Sequence, residues 1–139
     1  MSDVKETDYG ISDEYLEQLA DDCKINDLDL ANEARSIVNR NQKYIEDFYR
    51  WGRKLKKLER KLKEVEGELY KYYKTDFEIK LTSYTDIMKF VQKDKKYQKI
   101  WQLRDDVEEL VSFLERTIKN MSNNPWLVQK LIDLEKMNQ

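Results

Sequence analysis

The sequence contains no histidine. That absence removes the side chain that most often moves protons near neutral pH and most often holds a metal. A single cysteine, Cys23, excludes an internal disulfide and suits a reducing compartment. Three glycines and one proline leave little material for tight turns, and no Gly-rich phosphate loop or nucleophile elbow is present. No apolar run approaches the roughly 20 residues that cross a bilayer. The acidic N-terminus also lacks the basic start and apolar stretch of a signal peptide. With no histidine to pair with Cys23 or a serine, the usual catalytic sets cannot be assembled. The expectation is a non-enzymatic, cytoplasmic protein with no cofactor and no metal, acting by binding.

What the chain does have is charge on helix-forming residues. At 139 residues it is one domain's worth, and 39% of it is Asp, Glu, Lys or Arg. The totals of 26 basic and 28 acidic residues nearly cancel, to −2, but the distribution does not. Residues 1–33 carry eleven acids against Lys5 and Lys24, a net of −9. Residues 50–63, RWGRKLKKLERKLK, carry eight basic side chains against Glu59 alone, a net of +7.

Apolar spacing predicts the elements. Ser12 reads as an N-cap, with Asp13 and Glu14 in a first turn and Tyr15, Leu16 and Leu19 as a short apolar face. A break falls at CKINDLDL, with Asn26 or Asp27 capping the next helix. From there Leu30, Ala34, Ile37, Tyr44, Phe48, Trp51, Leu55, Leu58, Leu62, Val65, Leu69 and Tyr72 recur at steps of three and four. Asn41 is the one polar residue on this coiled-coil-like seam. A helix over 30–72 would be roughly 64 Å long, whereas a compact domain of this size has a radius of gyration of about 14 Å. An elongated molecule is predicted, with a second helix of similar length as partner. That helix carries Tyr97, Ile100, Val107, Val111, Leu114, Ile118 and Met121, widened by Trp101, Leu103, Leu110 and Phe113. A face so wide points to self-association. Between the two, Phe77, Ile79 and Leu81 alternate as in an extended strand, and a short helix restarts near Ser83 with Ile87, Met88 and Val91. SNNPW predicts a second break, Asn124 capping a third helix that begins at Pro125 and carries Leu127, Val128, Leu131, Ile132 and Leu134. Trp126 would pack at that corner. The fold class expected is all-α, an antiparallel helical hairpin with a short connector and a C-terminal helix. Its parts are an acidic segment over 1–27, a hairpin over 28–124 and an oligomerisation helix over 125–139.

The basic run is the candidate site. With Trp51, Leu55, Leu58 and Leu62 on the seam, Arg50, Arg53, Lys57 and Arg60 fall on the outer face. Lys56 and Lys63 lie beside them, and Lys54 and Lys61 flank the seam. An ordinary solvated helix face mixes signs through i, i+4 pairs; here the acids are nearly missing, which points to a polyanion. An acidic membrane surface fits less well, because the apolar side opposite the stripe is taken up by the seam. A second basic patch, Lys93, Lys95, Lys96 and Lys99, opens the other long helix. Single-strand binders combine cationic grooves with aromatic platforms. Trp51 and Tyr72 sit on the seam and belong to the core, while Tyr49, Tyr70 and Tyr73 lie off it and could stack on bases.

These features together resemble the UvsY family of phage recombination mediators. The resemblance runs from about Lys24 to Met137, through KINDLDLANEA, the basic helix ending in ELYKYY, DIMKFVQKDKKYQKIW and VEELVSFLERTIKNMSNNPWLVQKLIDLEKM. It implies binding of single-stranded DNA by basic residues of the first long helix. It also implies loading of a RecA-like recombinase onto DNA covered by a single-strand binding protein. The assembly implied is a ring-like homo-oligomer, hexamer or heptamer, built through the C-terminal region. Family members often carry basic residues just ahead of the tyrosine pair. Here that stretch is EVEGEL, with Glu64, Glu66 and Glu68, which moves the expected DNA contact upstream to Arg53 through Lys63. The alternative expectation is a coiled-coil assembly or chaperone protein whose stripe meets an acidic protein partner, with no DNA role.

Overall fold

Four helices account for most of the chain: α1 over Asp13–Asp22, α2 over Leu30–Lys71, α3 over Tyr84–Lys93 and α4 over Lys95–Met137. The structure, a computed structural model, describes residues 4–24 and 30–137, excepting the side chains of residues 30, 31, 34, 124–128, 131 and 135. The expected cap at Asn26 or Asp27 lies outside the described residues, as do the side chains of Leu30, Ala34, Trp126, Leu127, Val128 and Leu131. A 3₁₀ turn, Glu6–Tyr9, precedes α1, and one π-helical turn, Tyr72–Asp76, ends α2.

The helix starts reflect their capping chemistry. The Ser12 hydroxyl accepts from the Tyr15 backbone N–H at 3.1 Å, and the Ser83 hydroxyl accepts from that of Asp86 at 3.4 Å. Each occupies a donor that the first turn of a helix cannot satisfy internally.

The chain divides into two compact units. The first, Met1–Tyr9 with Gly52–Glu109, closes its core with Leu58 and Val65 of α2, Ile87 and Val91 of α3, and Ile100 and Val107 of α4. The second, Gly10–Trp51 with Leu110–Gln139, buries Leu19 of α1, Ile37, Tyr44 and Trp51 of α2, and Leu110, Leu114 and Met121 of α4. In the first unit the end of α2 meets the start of α4, where the Lys96 ammonium lies 3.2 Å from Glu68. In the second, Asn41 near the start of α2 donates at 3.3 Å to Ser122 late in α4. The pairing is therefore antiparallel.

The seam of α2 resolves into two rows. Ile37, Tyr44, Trp51, Leu58 and Val65, seven residues apart, are buried; Asn41, Phe48, Leu55, Leu62 and Leu69 are half-buried. On α4 the buried row is Val107, Leu110, Leu114, Thr117 and Met121, so Val111 and Ile118, expected inside, sit at its margin. Thr117 is buried because its position, not its polarity, continues the three-four spacing.

Three expectations are corrected. Tyr72 is 45% exposed rather than core. The regular α2 ends at Lys71 and a π turn runs from Tyr72 to Asp76, so the last expected seam position lies beyond the α-helical run. No strand forms at Phe77–Leu81 among the described residues, since a lone extended segment has no neighbour to accept its backbone bonds. Asn124 and Pro125 do not start a new helix, and α4 runs through them unbroken to Met137. A proline inside a helix costs about 3 kcal/mol through one lost bond and a ring clash, less than intact turns on both sides supply.

Candidate nucleic-acid interface

Burial of Leu58 and Val65 fixes the rotation of α2 in the first unit, and the rotation sorts the basic run into two groups. Arg53, Lys56, Lys57, Arg60 and Lys63 point away from the core, are exposed, and form no ion pair with any described residue. At 100° per residue they occupy one face opposite the seam, and the ten steps from Arg53 to Lys63 extend about 15 Å. Glu59, the single acid within it, forms no ion pair among the described residues either. No acid of the described chain neutralises this group of five cations.

Lys54 and Lys61 belong to a different group. The Lys54 ammonium donates at 2.7 Å to the Asp8 carbonyl oxygen, and Lys61, 15% exposed, lies 3.7 Å from Glu64. Both flank the seam, where their stems cover apolar surface. Arg50 lies in the second unit, with its guanidinium 3.4 Å from the buried carboxylate of Asp47. The structure therefore brings five of the eight expected cations together as an unpaired surface and gives three a local partner.

The second basic patch is similarly mixed. Lys96 is paired with Glu68, and Lys99 with Glu6 at 3.0 Å, while Lys93 and Lys95 are exposed without an ion pair among the described residues. Lys89 of α3, which sequence spacing does not single out, is exposed and unpaired in the same sense.

The aromatic candidates differ in what holds them. Tyr49, in the second unit, is 64% exposed and touches Phe48 edge to face. Tyr70 is half-buried, with Tyr84 5.7 Å away and the Lys74 ammonium 5.9 Å from its ring. Tyr73 is packed among Phe77 and Phe90 and donates at 2.7 Å to Asp94. That hydrogen bond, with burial second, pushes its hydroxyl up to about 12.

The remaining chemistry is sparse. Burial pushes the Cys23 thiol up, against a smaller opposing pull from Thr117, so it is protonated near neutral pH. No group of three metal-ligating side chains occurs among the described residues. Nor, among them, is any helix long and apolar enough to cross a membrane.

Antiparallel helices with a one-sided cationic surface define an all-α protein with one strongly positive helix face. A family profile described as "Recombination, repair and ssDNA binding protein UvsY" matches residues 18–139. The chain belongs to the UvsY family, and with it to the recombination and single-stranded-DNA-binding proteins of bacteriophages. Crystal structures of the bacteriophage T4 recombination mediator protein UvsY share the fold. One crystal form aligns with a TM-score of 0.81 at 16% identity, covering 93% of this chain and 98% of that one. A second gives 0.80 at 15% identity, covering 91% and 97%. A third gives 0.79 at 16% identity, covering 89% and 98%. No curated protein sequence is significantly similar.

Proposed function

We propose that this chain binds single-stranded DNA along the outer face of α2, as a non-enzymatic recombination mediator. Arg53, Lys56, Lys57, Arg60 and Lys63 contact phosphates, with Lys54, Lys61 and Arg50 at the margins. Tyr70 and Tyr49 are the stacking surfaces, while Tyr73 serves mainly to anchor the turn after α2. In this reading the protein helps load a RecA-like recombinase onto DNA covered by a single-strand binding protein, in the cytoplasm of an infected bacterial host. It works as a homo-oligomer of six or seven subunits. Exposed Leu134 (56%) and Met137 (80%) near the end of α4 support assembly through residues 125–139.

The observation that carries the proposal is the set of five exposed cations with no ion partner among the described residues, in a chain of this family. Five phosphate contacts would give log K against log salt a slope of about −3.5, at roughly −0.7 per contact on single strands. Replacing Lys57 and Arg60 together by alanine should weaken binding on every sequence and flatten the slope by about 1.4. Unchanged affinity and slope in that double variant would remove the stripe from the DNA path. Loss of sedimentation mass on truncation at residue 124 tests the assembly.

A second reading is kept by two contacts. The acidic turn Glu6–Tyr9 reaches both basic regions of its unit, through Asp8 to Lys54 and Glu6 to Lys99. A basic surface that already takes a carboxylate at Lys99 would suit an acidic protein partner. Titration with single- and double-stranded oligonucleotides separates the two, since a protein-directed stripe would bind both weakly and without preference.

A further inference from the structure

Where α3 passes into α4 through Asp94, Gln92, Tyr97, Gln98 and Trp101 line a recess of about 280 Å³. All four belong to the first unit. The core residue Ile100 sets the rotation of α4 there, which leaves the adjacent Trp101 indole 41% exposed. Trp101 stacks on no aromatic ring among the described residues. Tyr97, one turn earlier, is half-buried at its side. The Gln98 amide donates at 3.4 Å to the backbone carbonyl of Gln92, which ties the two helices together at the corner. The Gln92 carboxamide makes no hydrogen bond to a described residue, so its donor and acceptor are both available.

The recess is small. Pockets for drug-sized ligands run to roughly 300–1,000 Å³, so this one fits a single flat ring system. A large indole surface beside the free carboxamide of Gln92 offers a stacking face and an edge that can pair with ring nitrogens and exocyclic groups. Charge is asymmetric around it. Lys89, Lys93 and Lys95 lie on the α3 side, exposed and without an ion pair among the described residues. On the other side Glu108 is paired with Arg104 at 3.2 Å, so only the α3 side offers unpaired positive charge among the described residues. A phosphate chain would be drawn to that side.

We infer that this recess holds one base of a bound single strand, its ring against Trp101, its edge toward Gln92 and Gln98, and its phosphates toward Lys93 and Lys95. The inference rests on the reading that the chain binds single-stranded DNA, and adds to the α2 stripe a contact that needs a base rather than a phosphate.

The test compares two labelled oligomers of equal length, one of thymidine and one abasic in its central part, by fluorescence anisotropy on the full chain. Trp101→Leu should weaken binding to the thymidine oligomer about fivefold or more, the scale of one lost stacked base. It should leave binding to the abasic oligomer and the salt slope as in the wild type. Unchanged affinity for thymidine, or equal loss on both oligomers, overturns the inference while leaving the stripe intact. Binding of neither oligomer by the wild type would sink the DNA reading and this inference with it. If circular dichroism shows that Trp101→Leu unfolds the chain, Gln92→Ala decides. It should narrow the preference for thymidine over abasic DNA by about twofold or more, on the scale of one neutral hydrogen bond, and an unchanged preference overturns the base contact.

Discussion

The Tyr73 hydroxyl donates a 2.7 Å hydrogen bond to Asp94, the residue that caps α3 and precedes α4. One bond thus links the π turn after α2 to the junction of the next two helices, and Asp94 also accepts from the Lys96 backbone N–H at 2.9 Å. Tyr73→Phe keeps the ring among Phe77 and Phe90 and removes only the bond. Stability should fall by about 1 kcal/mol, measured by urea unfolding, while affinity for single strands stays within about twofold. A large loss of affinity with unchanged stability would put Tyr73 on the DNA instead.

Alkaline pH should unfold the protein earlier than its charge alone suggests. Burial raises the Tyr15 and Tyr44 hydroxyls well above the ordinary tyrosine value, helped by hydrogen bonds to Asp47 and Asp22, and Tyr73 stands at about 12. In each the folded chain holds its proton more tightly than the unfolded chain. The resulting stability is complete below pH 10, the ordinary tyrosine value, and declines as pH rises through 12 for Tyr73 and beyond for the others. Urea midpoints between about pH 9 and 12 should fall less steeply in Tyr44→Phe than in the wild type; identical slopes would count against this linkage.

Gly52 and Gly67 sit in the interior of α2, and a Cβ built at either meets nothing within 4 Å. Alanine at each position should stabilise the protein by about 0.5–1 kcal/mol, or roughly 2–5 °C in Tm. Calorimetry of Gly52→Ala and Gly67→Ala checks this, and a lower Tm would mean that an unseen neighbour needs the space.

Deleting residues 1–9 removes the Glu6–Lys99 ion pair and the Asp8–Lys54 hydrogen bond. These are surface contacts worth about 0–1 kcal/mol each, so affinity for single strands should rise by about two- to fivefold at low salt and converge on the full chain at high salt. A truncated chain that binds more weakly would make the acidic turn part of the DNA-binding surface.

Much of this architecture is legible because helices write their burial into the sequence at a fixed period. The row from Ile37 to Val65, the cap at Ser12, the helix start near Ser83, and the outward group Arg53 to Lys63 all derive from spacing and capping chemistry. What spacing cannot show is which cations find partners. Lys54 meets a backbone carbonyl 46 positions away in sequence, and Lys99 meets an acid from the opposite end of the unit. The departures from expectation have local causes. The α-helical run gives way to a π turn at Tyr72, and Pro125 reads as a stop signal only when the turns that carry α4 past it are left out. The recess at Trp101 escapes a sequence reading because its residues come from two helices whose crossing no one-dimensional pattern records.

The five outward cations of α2 stand on long, flexible stems along a single helical face, each reaching solvent independently. Such a surface reads no base and favours no register, so a bound strand can shift along it by one nucleotide with little change in energy. Its contacts can also be surrendered one at a time, each to a small competing charge. On the proposed reading, a second protein advancing along the strand would meet a succession of low barriers in place of one high one, and the DNA could be handed over without ever being fully released.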